Sequence, residues 1–527
     1  MVKGRAIMVV CAACVLSGPA AGQRKELPAR PPGRCFPLTT REHRDAATFE
    51  RGAPLVGTTY FYWYDIDSQA HIKNTDGSDA LTTHPADMND LSYKRSSWHE
   101  AQLRDMMDAG IDFLMPVYWG VPGDYDGWSF VGLPPLVEAH AALERAGLHP
   151  PAIGMFYDTS ILSWNRFNTD GSNYRVDLTS DFGKEWFYTA IRDFFSLIPP
   201  DKWARIDGKP IVFLYEAAFA GGQDPQRQFT HVKERFEADF GVEPFIVKSS
   251  GWQGRADATY SWGGAVSGPI FFEDTAALGP GYDHSAVPGR QPLIVDRRDG
   301  QTYIERWTKL LQLPPRQRPW LVHVETWNEW HEGTDVAHSR EYGRSYIVLT
   351  RLFADMWHAE TQLRLGSGYA DANEVAWEPG AAKGLSLRPA GGDGNWRTGR
   401  YGERNAVVCS PNPHSESVRY LYFDVDDAFA YGLRGQATGV TVTYRDAGCL
   451  VFGVEYDSTV AEGPLAGAFR SAGSTAVADA SAWKTARFTL PDCGFMGRCN
   501  GADLRLFVTG GDLELAVTRV TVSKKQP

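Results

Sequence analysis

The sequence predicts a (β/α)8 barrel followed by an all-β sandwich. Three observations carry this. Over roughly 300 residues, β-rich runs alternate with amphipathic helical patterns about eight times, as a barrel requires. Those runs are nearly continuous in apolar residues, which suits strands buried on both faces. After about residue 362 the helical patterns stop, and short alternating runs appear between Gly, Asp and Asn turns.

The elements follow in order. "LVGTTYFYWY", beginning at Leu55, is the first strand. "SSWHEAQLRDMMDAG" is a helix with a Ser cap, apolar Leu103, Met106 and Met107, and Gly110 as its stop. "IDFLMPVYWG" is a strand, "PLVEAHAALERAGL" a helix ending at Gly147, and "AIGMFYDTS" the third strand. "DFGKEWFYTAIRDFFSLI", "KPIVFLYE", "QRQFTHVKERFEADFG" and "EPFIVKSS" continue the rhythm. Two shorter strands are expected at "ATYSWGG" and "TAALGPGYD". The helix "TYIERWTKLLQL", the strand "PWLVHVET" and the helix "YGRSYIVLTRLFADMWH" complete the barrel. No Gly-rich phosphate loop follows the first strand, which argues against a doubly wound sheet. The expected organisation is a signal peptide over 1–22, an extended lead-in over 23–50, the barrel over 51–361, a linker over 362–385 and the sandwich over 386–527.

Composition narrows the function classes. The formal net charge of -11 disfavours nucleic acid and anionic lipid as partners, since both are bound through basic surfaces. The 17 Trp and 22 Tyr suit barrel packing, and they also supply the flat apolar faces on which sugar rings stack. "MVKGR", "AIMVVCAACVL" and "SGPAAG" read as the three regions of an export signal cut near Gly22–Gln23. The apolar run is too short for a membrane span, so a secreted or periplasmic protein is expected. Cys14 leaves a lipoprotein anchor as the alternative. Of the cysteines beyond the signal, Cys35 is odd, while Cys409–Cys449 and Cys493–Cys499 are expected as disulfides of an exported sandwich. No Cys/His spacing resembles a zinc site, and neither metal nor organic cofactor is implied.

Active sites of such barrels lie at the carboxyl ends of the strands. Tyr62, Trp63, Tyr64 and Asp65 end the first strand, and Trp119 follows Tyr118 at the end of the second. Tyr157 and Asp158 end the third, Glu216 the fourth, and Trp252 follows the fifth. Asp283 and His284 follow the seventh. Any one of these is as well explained by core packing, a cap or an ion pair; their convergence on one mouth makes them substrate-binding candidates.

The eighth strand ends in "VETWNEWHEGTD", which holds Glu325, Glu329, Glu332 and His331. Alternation along a strand puts His323, Glu325 and Glu329 on one face, which must point into the lumen or meet cations. Glu329 and Glu332 stand three apart; on a helical turn their Cβ atoms would be about 5–6 Å apart. Retaining glycosidases hold two carboxyl groups about 5–5.5 Å apart, inverting ones about 6.5–9.5 Å. Two close carboxylates disfavour double ionisation, so one becomes a proton donor while the other stays charged. The bland alternative is a polar loop whose glutamates meet Arg340 or Arg344.

"WNEWHEGT" resembles the signature of the glycoside hydrolase family 99 endo-α-mannosidases, which carry N-E-W-x-E-G-T at the end of a barrel strand. "YFYWYD" is similar to the aromatic opening of that barrel, and the resemblance covers roughly residues 51–361. "ETWNEWHEGTD…SREYG" looks closer to an uncharacterised exported bacterial branch of that group, a domain of unknown function. The resemblance implies that Glu332 is the general acid/base at the glycosidic oxygen. It implies that Glu329 is the partner carboxylate, a base on the sugar 2-hydroxyl. Glu325 departs from the family pattern. The same motif occurs in relatives tied to cell-surface polysaccharide synthesis.

The expectation is therefore an exported glycoside hydrolase, retaining and of possible endo action, whose partner is an oligosaccharide or polysaccharide. The alternatives are a non-catalytic carbohydrate-binding protein on the same barrel and a glycosyltransferase-like relative. Export argues against the latter, because activated sugar donors are cytoplasmic.

Overall fold

The computed structural model describes residues 26–44, 46–164, 175–290, 293–363, 368–411, 415–431, 437–460 and 464–524. The export signal and Cys14 lie outside them. Among the described residues the chain divides into two compact units.

The first unit reaches to Val266 and adds Glu273–Thr308 and Arg318–Thr361. Eight of its strands make the barrel path, beginning with β1 (Leu55–Tyr60), β2 (Phe113–Tyr118), β3 (Met155–Tyr157) and β4 (Lys209–Leu214). They continue with β5 (Phe245–Ser249), β6 (Ala258–Tyr260), β7 (Thr275–Leu278) and β8 (Leu321–Val324). All pair in parallel, in the order β6-β5-β4-β3-β2-β1-β8-β7. The sheet is a nearly closed barrel: across the seam Thr275 Oγ1 donates to the Thr259 carbonyl, 2.7 Å away. Leu55 stands opposite Leu321, and Thr58 opposite Val324. β1 and β2 are buried at every position, as their continuous apolar and β-branched runs require. At Gly57 a Cβ would lie 2.3 Å from the Phe113 ring, so any larger residue would have to displace that ring.

Six long helices belong to this rhythm: α1 (Ser96–Ala109), α2 (Leu133–Arg145), α3 (Asp181–Leu197), α4 (Gln228–Phe240), α5 (Gln301–Gln312) and α6 (Ser345–His358). The regular eightfold alternation fails after β5 and β6. The stretch from Ser249 to Ala258 is too short for a crossover helix, which needs a dozen or more residues. Between β6 and β7 the only helix among the described residues is the four-residue Gly264–Ser267. α1 stops as its sequence indicates, with Gly110 at φ +75 and its N–H on the Met106 and Met107 carbonyls. Its expected serine cap is absent: Ser96 is the first helical residue, and Arg95 at the cap position makes no side-chain bond.

The second unit comprises everything from Gln362 on, together with Ser267–Phe272 and Lys309–Gln317, two segments expected within the barrel. Contacts inside this unit explain their membership: Phe271 N donates to Met496 O at 3.2 Å, and Lys309 pairs with Asp424 at 3.4 Å. One antiparallel sheet has seven strands and the other five. Val375, Trp377, Phe423, Val440, Phe452 and Leu506 contribute to the core. Stretches expected as linker and loop prove to be strands at Glu374–Glu378, Trp396–Tyr401 and Arg404–Cys409. The last two form a hairpin whose first strand has no buried residue and carries little apolar signal. The expected disulfides are not formed: nothing joins Cys409 to Cys449 or Cys493 to Cys499. Cys499 Sγ instead donates to the Ala468 carbonyl, and Thr438 Oγ1 lies 2.9 Å from Cys493 Sγ.

Candidate active site

β8 delivers the acidic stretch. His323 faces the lumen, ringed by Phe156, Phe213 and Tyr260, with Nε2 2.8 Å from Thr59 Oγ1. The strand then ends at Val324, so the expected alternation through Glu329 fails. Thr326 N donates to Thr334 O at 3.0 Å, Trp327 N to Thr59 O at 2.9 Å and Val336 N to Trp327 O at 2.9 Å. These bonds close residues 326–336 into a loop tied back on itself.

Burial sorts the loop's side chains. Trp327 and Trp330 are fully buried, with Trp327 Nε1 donating to Gln102 Oε1 at 2.8 Å and Trp330 against Tyr64 at 4.8 Å. Both tryptophans are anchors. Asn328 ties the loop to the end of β1: its Oδ1 accepts from Phe61 N, and its Nδ2 donates to Phe61 O, both at 2.7 Å. Arg297 donates to the carbonyls of Gly333 and Asp335 and, at 2.8 Å, to Asp335 Oδ1. Gly333 takes φ +53, the left-handed conformation that lets the chain turn directly after Glu332.

With its tryptophans and Asn328 turned inward, the loop offers Glu329 and Glu332 to two adjoining clefts. The first, about 430 Å³, is lined by Phe61, Val117, Phe156, Asp158, Ser160, Tyr215 and Trp262 together with both glutamates. The second, about 530 Å³, adds Trp63, His71, Lys73, Asn74, Arg290 and His331 to the same pair.

The two carboxyls differ in their partners. Glu332 Oε1 accepts from Arg290 Nη1 at 2.6 Å, a part-buried ion pair. Glu329 Oε1 lies 2.8 Å from His331 Nδ1, and its Oε2 is buried without a hydrogen-bond partner. Burial pushes the Glu329 carboxyl up from its ordinary value, with the charge of Glu332 adding to the rise; His331 and Arg290 oppose it.

The remaining sequence candidates spread over three settings. Trp63, Asp158 and His331 line the clefts. Trp63 lies flat on His71, 4.6 Å between centroids, and Asp158 accepts from Ser160 N at 3.0 Å. Trp119 stands one bond behind, its Nε1 on Ser160 Oγ at 2.9 Å. Glu216 accepts from Ser249 Oγ at 2.8 Å, and burial raises its carboxyl. Tyr62, Tyr157 and Trp252 are core residues: the Tyr62 hydroxyl donates to Ser129 O, the Tyr157 ring packs on Phe187, and Trp252 Nε1 donates to Tyr215 O. Tyr64 braces the acidic loop, donating to Asn328 O at 3.2 Å and accepting from Trp330 N at 3.1 Å. Asp65 is buried against Lys94, Ser68 and Ser92, whose hydrogen bonds outweigh burial and hold it at about 2.

Glu325 lines neither cleft. Its Oε2 accepts from the N–H groups of Gly263 (3.0 Å) and Ala265 (3.3 Å), which fastens the chain after β6. Burial pushes its carboxyl up to about 8. Sequence reasoning missed Arg290, His71, Lys73, Tyr215 and Trp262. Trp262 follows a recognised strand in "YSWGG" and could have been found by the strand-end rule. Arg290 lies in a Pro/Gly loop with no periodicity to mark it.

Against solved structures the chain is similar to a GH99 endo-alpha-mannosidase from Bacteroides thetaiotaomicron in complex with BIS-TRIS-propane. That match has 15% identity and a TM-score of 0.42, over 60% of this chain and 99% of that one. It is similar to a glycoside hydrolase-like protein at 15% identity and a TM-score of 0.41, over 60% and 96%. An Arthrobacter globiformis T6 isomalto-dextranase complexed with panose matches at 11% identity and a TM-score of 0.31, over 94% and 100%. No curated protein matches the sequence. A family model described as a domain of unknown function, DUF5010, matches residues 47–371, more than half of the chain. The chain belongs to the DUF5010 family.

Proposed function

We propose that this protein is an exported glycoside hydrolase whose catalytic pair is Glu329 and Glu332, set at the mouth of a (β/α)8-type barrel. The observation that carries the reading is that both carboxyls line both clefts. A glycan lying across the two clefts would pass its scissile bond beside the pair. The apolar walls of Phe61, Phe156, Tyr215 and Trp262 suit sugar rings, and Asp158 and Ser160 suit their hydroxyls. The unequal partners of Glu329 and Glu332 suit a division into a proton-handling group and a charged group. Following the family resemblance, Glu332 acts as acid/base at the glycosidic oxygen and Glu329 as the partner carboxylate. The reaction retains anomeric configuration.

The test is digestion of a glycan library with the anomer of the first product followed by NMR. Retained configuration, lost in E332Q with binding preserved, supports the reading. Inverted product rejects the retaining mechanism, and wild-type protein that binds glycans without turnover rejects hydrolysis.

A further inference from the structure

The proton inventory of the Glu329–His331 contact follows from which atoms can donate. His331 Nε2 lies 2.9 Å from the His71 carbonyl oxygen, which only accepts, so Nε2 carries a hydrogen. His331 Nδ1 therefore meets Glu329 Oε1 at 2.8 Å either across a proton or with two lone pairs facing each other. The second arrangement is repulsive at that distance, so a proton lies between them.

We propose that His331 is a positioning residue for Glu329: anchored by Nε2–H on the His71 carbonyl, it donates from Nδ1 to Oε1 and leaves Oε2 as the reacting oxygen. Two further observations support this. The ring cannot turn freely, because it stacks on Tyr64 at 5.4 Å and meets Trp63 edge-on at 5.7 Å. Oε2 is buried, lacks a partner, and belongs to a carboxyl that lines both clefts.

The titratable and charged groups around the pair come from several elements. His71 and Lys73 face it from the loop after β1, and burial lowers His71 to about 3, so that ring is neutral. Tyr64 faces it from the end of β1, and burial keeps its hydroxyl protonated. Arg290 and Tyr282 approach from the segment after β7, and Glu332 from the loop itself. The partner of His331 Nδ1 is Glu329 Oε1, 2.8 Å away, and it holds the proton.

The assignment of Oε2 as reacting oxygen rests on the hydrolase reading; the shared proton does not. The test is ¹⁵N NMR of the full chain labelled at histidine, in wild type, E329Q and H331Q, across the neutral pH range. The expected wild-type signal, removed in H331Q, has both ring nitrogens protonated. In E329Q the amide oxygen is a weaker acceptor than the carboxylate, so the doubly protonated signal should be lost at neutral pH. Should H331Q not fold, the isosteric E329Q identifies the signal by its loss. A bare Nδ1 in wild type, or an unchanged doubly protonated signal in E329Q, overturns the proposal. Absence of turnover in every protein, with the NMR result as expected, rejects the hydrolase reading alone.

Discussion

The clamp between Asn328 and Phe61 gives the sharpest energetic prediction. Asn328 is fully buried, and its amide satisfies both backbone groups of Phe61 at 2.7 Å. N328A leaves a buried N–H and a buried C=O unpaired. Each orphaned group costs about 1–3 kcal/mol, so the substitution should destabilise the protein by about 2–6 kcal/mol. N328D separates the two halves. The introduced carboxylate still accepts from Phe61 N–H, but it opposes a lone pair to the Phe61 carbonyl. Once protonated, it can donate there as the amide does. Its folded pKa must therefore be raised, and the stability it contributes is present at low pH and lost as pH rises through that value. The assay is urea denaturation followed by tryptophan fluorescence at pH 4 and pH 7. N328D should lie closer to wild type at pH 4 than at pH 7. A loss below about 1 kcal/mol for N328A, or no pH dependence of the N328D difference, would show that the clamp does not set the loop.

Three further outcomes follow. D335A removes the carboxylate partner of buried Arg297 and should cost about 3–5 kcal/mol in the same denaturation assay; a loss under 1 kcal/mol contradicts the pairing. Glu325 titrates at about 8 in the fold and near 4.5 as its ordinary value. Its contribution is thus full below the ordinary value and lost as pH rises toward 8. E325Q should flatten that decline in stability, and an unchanged pH profile would refute the shift. W262A removes an aromatic wall of the first cleft while leaving the glutamates in place, so KM for the glycan should rise more than kcat falls.

The sequence was most legible where side-chain pattern and backbone geometry coincide. β1, β2 and β4 were found because strands buried on both faces must be nearly continuous in apolar residues. Trp396–Tyr401 was not, because a strand with no buried residue needs no such pattern. The acidic loop was legible as a cluster but not as a shape. The parity rule placed His323 correctly in the lumen and lost force at Val324, where long-range bonds from Thr59 and Thr334 take over. The partners that distinguish the two glutamates are remote in sequence or hidden in a loop. Arg290 reaches Glu332 across 42 residues, and the His71 carbonyl anchors His331 across 260. Burial of Tyr62, Tyr157 and Trp252 shows the limit of the strand-end rule: an aromatic there serves the mouth only if its neighbours leave it uncovered.

The central claim is that Glu329 and Glu332 together perform glycosidic cleavage. The most direct measurement is turnover of a glycan hydrolysed by the wild type, compared in E329Q and E332Q with glycan affinity measured alongside. Each variant should lose about 10²–10⁴-fold in kcat, the usual contribution of a positioned acid or base, while affinity stays within a few-fold. Turnover unchanged in either variant would contradict the account.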